Sequence, residues 1–328
     1  MAATASPDKI RKELDELWTK LGEASGDQSD GVLRACSLSF IVATAPDPDL
    51  APMLGELMHA HPARAIVVTL AADAAQPLSA QVQADCWLPF GRKQQICCER
   101  IEVSAGADAA AQIPSLVRAL AAPDLPVIIY HRGVHSLPAA VLAEMTAQSD
   151  KVIIDSTSIE TLQANVAAVR HLGVGGRHVA DLAWTRLTRW RAMIAQFFDD
   201  PAQLARLQGI HRVAIEWEGA TEPVSAYYLQ AWLEHSLERR LERSSVRTGA
   251  SDRPRVKSIR LSGDGIEVSV TVDPDRSAHF ATDGQRRATI MPLLSECELL
   301  SEELSILGAD PIYEGVLDHL PRLLEPAA

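Results

Sequence analysis

The stretch PVIIYHRGVHSLPAAVLAEMTAQSDKVIIDSTSIETLQANVAAVRH, residues 126–171, alternates short apolar runs with longer segments of helical period. Pro126–Tyr130 and Val152–Asp155 are rich in Val and Ile and too short for helices, which predicts strands buried on both faces. Leu137–Gln148, with Pro138 at its start, and Ser158–His171 read as helices. Strand, helix, strand, helix in this order predicts a parallel sheet with helices on both sides. His131-Arg132-Gly133 and Asp155-Ser156-Thr157 follow the ends of the two strands. In open α/β sheets, ligands bind outside those ends. Arg132, His135, Asp155 and Ser156 are therefore candidates to line one crevice. The plainer reading is equally physical: Asp and Ser after a strand cap helices, and Arg-Gly makes turns.

Working back toward the N-terminus, Gln94–Ser104 and Ser79–Pro89 read as an antiparallel hairpin, and Ala65–Leu70 and Val32–Thr44 as further strands. Glu99 falls on an apolar face of its strand with Cys97, Ile101 and Val103. A carboxylate there needs a partner, and Arg64 is the expected one. A general base is the rival reading, but no nucleophile or acid lies nearby in sequence. Ser6–Leu21 predicts a helix, with Ser6 as cap, Pro7 in its first turn, and Ile10, Leu14, Leu17 and Leu21 on one face. The polar stretch GEASGDQSDG, residues 22–31, reads as a linker. The first helix is thus expected to be a detachable arm. The five cysteines form no C-x-x-C and no zinc-finger spacing. Buried reduced thiols are the expectation.

Toward the C-terminus, Gly173–Gly176 follows a helix and reads as its cap and a hinge. The segment DLAWTRLTRWR, Asp181–Arg191, comes next and holds two of the six tryptophans. Ala183, Leu187, Trp190, Ile194 and Phe197 recur at helical spacing, with Asp181 as cap. One reading is a buried amphipathic helix. The other is a helix that presents Trp184, Arg186 and Arg189 to a partner, since Trp and Arg are enriched in interface hot spots. His211–Trp217 alternates as a strand and Val224–Leu241 reads as a long helix. The basic stretch Leu237–Arg255 reads as a solvated helix end and loop. Lys257–Leu261, Gly265–Val272 and Ala278–Thr282 alternate like a meander turning at Gly263-Asp264-Gly265. Pro292–Leu307 and Pro311–Leu324 close the chain as helices. The fold class is therefore α/β: an N-terminal mixed sheet with flanking helices (1–176) and a smaller C-terminal α+β domain (177–328).

The chain has 328 residues and a formal net charge of −12. That length suffices for two domains with cores. The acidic balance argues against a nucleic-acid binder. No run approaches the roughly 18 apolar residues of a membrane helix, and no apolar leader precedes the first helix, so the expected location is cytoplasmic. Neither G-x-G-x-x-G after a strand nor G-x-x-x-x-G-K-[ST] occurs, and H-E-x-x-H and G-x-S-x-G are missing too. No cofactor, no metal and no catalytic constellation are expected.

Six stretches, in order along the chain, carry a resemblance. RACSLSFIVA (34–43), HPARAIVVTL (61–70), QICCERIEV (95–103), DLPVIIYHRG (124–133) with KVIIDS (151–156), and above all DLAWTRLTRWR are similar to the OpcA family, assembly or activator proteins of glucose-6-phosphate dehydrogenase. The resemblance covers roughly residues 30 to 235. It implies a non-catalytic partner that binds the dehydrogenase and favours its active oligomer in the oxidative pentose phosphate pathway. The candidates for contact with a partner or ligand are thus Arg132, Asp155 and Ser156 at the strand ends, and Asp181, Trp184, Arg186 and Arg189 in the segment that carries the resemblance. The rival function is an enzyme or sensor that holds a sugar phosphate at the strand-end crevice near Arg132 and Asp155.

Overall fold

A computed structural model describes residues 5–24, 31–89, 91, 93–133, 137–159, 161–282 and 285–324. Its strands are β1 (Val32–Arg34), β2 (Leu38–Thr44), β3 (Ala63–Leu70), β4 (Ser79–Trp87), β5 (Gln95–Ala105), β6 (Val127–Arg132), β7 (Lys151–Ile154), β8 (His178–Asp181), β9 (Ile210–Glu218), β10 (Glu242–Gly249), β11 (Arg255–Gly263), β12 (Ile266–Val272), β13 (Ser277–Thr282) and β14 (Gln285–Ile290). Its α-helices are α1 (Pro7–Ala24), α2 (Leu50–Ala60), α3 (Ile113–Leu120), α4 (Ala139–Thr146), α5 (Leu162–Leu172), α6 (Leu182–Thr185), α7 (Thr188–Phe197), α8 (Pro201–Leu204), α9 (Val224–Ser236), α10 (Glu296–Leu304) and α11 (Pro311–His319). The chain divides into two compact units. One comprises Met1–Asp155, Leu172–Ala180 and Glu296–Gly308; the other comprises Ser156–His171, Asp181–Ser295 and Ala309–Ala328.

The first unit carries an eight-stranded sheet in the order β1-β5-β3-β2-β6-β7-β8, with β4 also paired to β5. The strands at its centre are parallel, with Ile41 beside Ile66 on one side and Ile129 on the other. Every residue of β2 is buried, as expected of a strand covered on both faces. β4 runs antiparallel to β5, so the sheet is mixed. Glu99 of β5 is 3% exposed. Arg64 meets it through Nε at 2.6 Å, Trp18 donates Nε1–H at 2.6 Å, and Arg34 also pairs with it. Three donors on a buried carboxylate satisfy it, and removing Arg64 would cost several kcal/mol by stranding charge. The general-base reading thereby loses its motive.

Two expectations are corrected here. α1 is no detachable arm. Ile10 and Leu14 are buried, Trp18 is bonded to Glu99, and Arg11 donates to Ala119 O at 2.6 Å. An apolar stripe with buried partners costs too much to expose. The predicted linker falls mostly on residues 25–30, outside the described residues. The cysteines are not all reduced thiols either. The β4–β5 register puts Cys86 directly opposite Cys97, and the two form a disulfide with Cα atoms 4.1 Å apart. Cys36, Cys98 and Cys297 are free.

The second unit holds a six-stranded sheet ordered β10-β9-β11-β12-β13-β14. β10 is parallel to β9, and the remaining neighbours are antiparallel. Within the basic stretch Leu237–Arg255, read as helix end and loop, Glu242–Gly249 is in fact β10. Exposed and half-exposed residues alternate over Glu242–Val246, and Arg247 and Thr248 are exposed as well, as suits the charged edge of a sheet. The β11–β12 turn is the predicted one, with Gly265 at φ 68°. Gly263 is required there, since a Cβ would lie 1.7 Å from Gly209 O. Ile210, Val213, Ile215, Ile259, Leu261, Val268 and Val270 turn one face of this sheet into a core shared with Trp184, Trp190 and Tyr228.

Candidate functional site

The segment Asp181–Arg191 forms two helices rather than one. α6 ends at Thr185, and a turn at Arg186–Leu187 leads into α7. Asp181 starts α6 from extended backbone and accepts a hydrogen bond from Ala183 N–H at 2.9 Å, an N-cap. Its carboxylate does more than cap. It also accepts from Ser156 N–H at 3.0 Å and from the Tyr228 hydroxyl at 2.6 Å. Tyr228 Oη lies 3.1 Å from Tyr313 Oη and 3.2 Å from Asn165 Oδ1. Asp181 is wholly buried, and burial pushes its carboxyl above the ordinary range against the pull of those donors. Burial likewise pushes the Tyr228 hydroxyl up, with Asp181 adding to it.

Trp184 is 2% exposed. Its Nε1–H donates to Asp310 Oδ2 at 2.9 Å, its ring stacks on Tyr313 at 5.4 Å, and the Arg191 guanidinium lies 3.5 Å from its centroid. Trp190 is 6% exposed. Both tryptophans thus make their contacts inside the unit. Cation–π and stacking contacts of this kind fix the orientation of the turn they flank. Arg186 is half-buried, and Arg189 is exposed.

Arg189 lies on a groove of about 540 Å³. One wall is α7 with Arg189, Met193, Gln196 and Phe197, continued by Asp200 and Gln203. The other is the edge of the sheet, with Phe280, Thr282 and Arg287–Met291. The register sets Phe280 directly opposite Arg287, so both side chains share the face toward the groove. Phe197 packs on Phe280 at 5.4 Å. β14, Arg287 and the groove were not anticipated. The sequence signal was weak: in QRRATI, residues 285–290, only Ala288-Thr289-Ile290 alternates. Tyr228, Tyr313, Asn165 and Asp310 were missed because they lie far from Asp181 in sequence.

The strand-end candidates of the first unit are arranged differently. The Arg132 guanidinium donates through Nε and Nη2 to both oxygens of Glu296, at 2.7 and 3.0 Å. Its Nη1–H donates to Asp47 Oδ2 at 2.6 Å. Tyr130 donates to the same Glu296 at 2.9 Å, and its hydroxyl is pushed up by burial, by Glu296 and by the charge of nearby Asp155. His131 is lowered to about 4 by burial and sits 2.9 Å from Thr146 Oγ1. His135 lies outside the described residues. Ser156 is placed in the second unit with Asp181, where its buried side chain helps to hold the Asp181 carboxyl down against burial. No group of three or more His, Cys, Asp or Glu that would hold a metal ion occurs among the described residues.

Two family models match the chain in succession. The model of the glucose-6-phosphate dehydrogenase subunit N-terminal domain matches residues 55–171, and that of its C-terminal domain matches 177–317. The chain belongs to the OpcA family. A Nostoc punctiforme protein with the provisional name OxPP cycle protein OpcA is 28% identical over 186 residues, 56% of this chain and 39% of that protein. A Synechocystis protein of the same name is 24% identical over 197 residues, 59% of this chain and 41% of the relative. The chain thus spans about two fifths of the length of these OpcA relatives. An oxidoreductase domain protein from Kribbella flavida superposes with a TM-score of 0.48 at 9% identity, covering 88% of this chain and 96% of that one. No helix among the described residues is long and apolar enough to cross a membrane.

Proposed function

We propose that this chain is a non-catalytic assembly factor and allosteric activator of glucose-6-phosphate dehydrogenase. The observation that carries the reading is the pair of family models that match both halves of the chain in order. The geometry supports it. The most specific segment of the family resemblance is locked from within by Asp181, Tyr228 and Trp184, and it turns Arg189 outward at an open groove. A rigid platform of this kind pays little ordering entropy on binding. Activation follows by differential binding: a partner that prefers the active conformation or oligomer shifts the equilibrium by that preference and no more.

The rival sugar-phosphate reading gains no support at Arg132. Its guanidinium already holds two carboxylates, and a phosphate would have to displace them. The test is co-elution with the dehydrogenase of the same organism in size exclusion, with activity measured in each fraction. The expected result is a shared peak of larger size and higher specific activity. Separate peaks with unchanged activity would overturn the reading.

A further inference from the structure

The groove beside α7 is open at a sheet edge. In the strand order β14 has β13 on one side and no strand on the other among the described residues. Met291 N–H donates inward, to Arg276 O at 3.0 Å. Strand alternation then turns the backbone groups of Ala288 and Ile290 away from β13, toward the free edge. Arg287, Ala288, Thr289 and Ile290 are all exposed, Ile290 to 77% and nearby Leu293 to 74%. An exposed edge next to uncovered apolar side chains is a template for a further strand.

Charge and shape narrow the occupant. Arg189 and Arg287 line the groove, and neither enters an ion pair among the described residues. Asp200, the acid on the same wall, caps α8 through Ala202 N–H at 2.9 Å. Two guanidinium groups against one carboxylate leave the groove net positive on a chain of net charge −12, a local field of opposite sign to the rest of the molecule. Met193, Phe197, Phe280 and Met291 supply apolar floor and walls, and Met adapts to irregular partners. We infer that an extended segment of the dehydrogenase, with carboxylates flanking an apolar side chain, adds as a strand to β14 and places those carboxylates on Arg189 and Arg287. This rests on the proposed function and specifies where and how the partner docks.

The test uses the whole chain and the dehydrogenase of the same organism. Hydrogen exchange on the complex should protect the amides of Ala288 and Ile290, which exchange freely in the chain alone. Arg189→Glu with Arg287→Glu should weaken the complex at least tenfold and flatten its salt dependence. Ala288→Pro should weaken it as well, because Ala288 N–H faces the free edge and is not used by β13. The melting temperature of each variant reports whether the fold survives; a variant that unfolds is replaced by Arg287→Gln, expected to weaken the complex severalfold. A complex that forms with β14 unprotected, or that ignores the charge reversals, overturns the inference and leaves the proposed function standing. No complex from the unmodified chain overturns both.

Discussion

At Asp181 three donors and complete burial pull in opposite directions, and burial prevails. The carboxyl of the folded chain therefore holds its proton to higher pH than the ordinary 3.8. The folded state binds more protons than the unfolded state between those two values, so the contribution of this group falls as pH rises through its folded titration. Asp181→Asn keeps an oxygen for Ser156 and Ala183 N–H, and the Tyr228 hydroxyl can turn to donate to Asn165 or Tyr313. We expect the melting temperature of the native chain, relative to Asp181→Asn, to decline as pH is raised from 4 to neutral. A difference that stays constant or grows would contradict the burial-driven shift. The cap itself was legible in the sequence, because Asp before an amphipathic run is a strong start signal. Its partner Tyr228 was not, since only the packing of α9 brings it near. Arg64 and Glu99 show the opposite case. A carboxylate on an apolar strand face demands a cation, and the neighbouring parallel strand could supply it.

Among the elements, the pairing of β4 with β5 has a chemical outcome. Two adjacent cysteines on β5 point to opposite faces, and only the register decides which one meets Cys86. Denatured without reductant, the chain should titrate as the three free thiols Cys36, Cys98 and Cys297; after reduction it should titrate as all five cysteines. Five thiols before reduction would show that the strands pair without the bond. The closed loop is short, with a sequence separation of 11, so breaking it should cost about 2–3 kcal/mol of stability. Period and punctuation made most strands legible: the parallel run from β6 to β7 and the β11–β12 hairpin follow from them directly. β10 and β14 escaped because Arg and Glu on an edge strand mask its alternation. The break between α6 and α7 escaped because the apolar period runs unbroken across the turn.

For the whole molecule, the proposed accessory role predicts no turnover of its own. The purified chain should not oxidise glucose 6-phosphate with either nicotinamide cofactor, measured as reduced cofactor by absorbance. Turnover that survives removal of all contaminating dehydrogenase would refute a non-catalytic role. Another consequence follows from the way the first unit recruits α10 from far along the chain. Lys151 is buried, and its ammonium donates to Glu303 Oε2 at 2.9 Å and to the carbonyls of Glu303 and Ile306 at 2.8 and 2.7 Å. Glu303 lies 152 residues downstream, and Glu296 comes similarly late for Arg132. A ribosome moving at roughly 5–20 residues per second delivers these acids about 8–30 seconds after the sheet strands they serve. Throughout that interval the nascent sheet carries Lys151 without its carboxylate partner and Arg132 with Asp47 alone, so it stays locally hydrated around β6 and β7. Synthesis order thereby makes α10 the keystone of a layer whose own strands were finished long before.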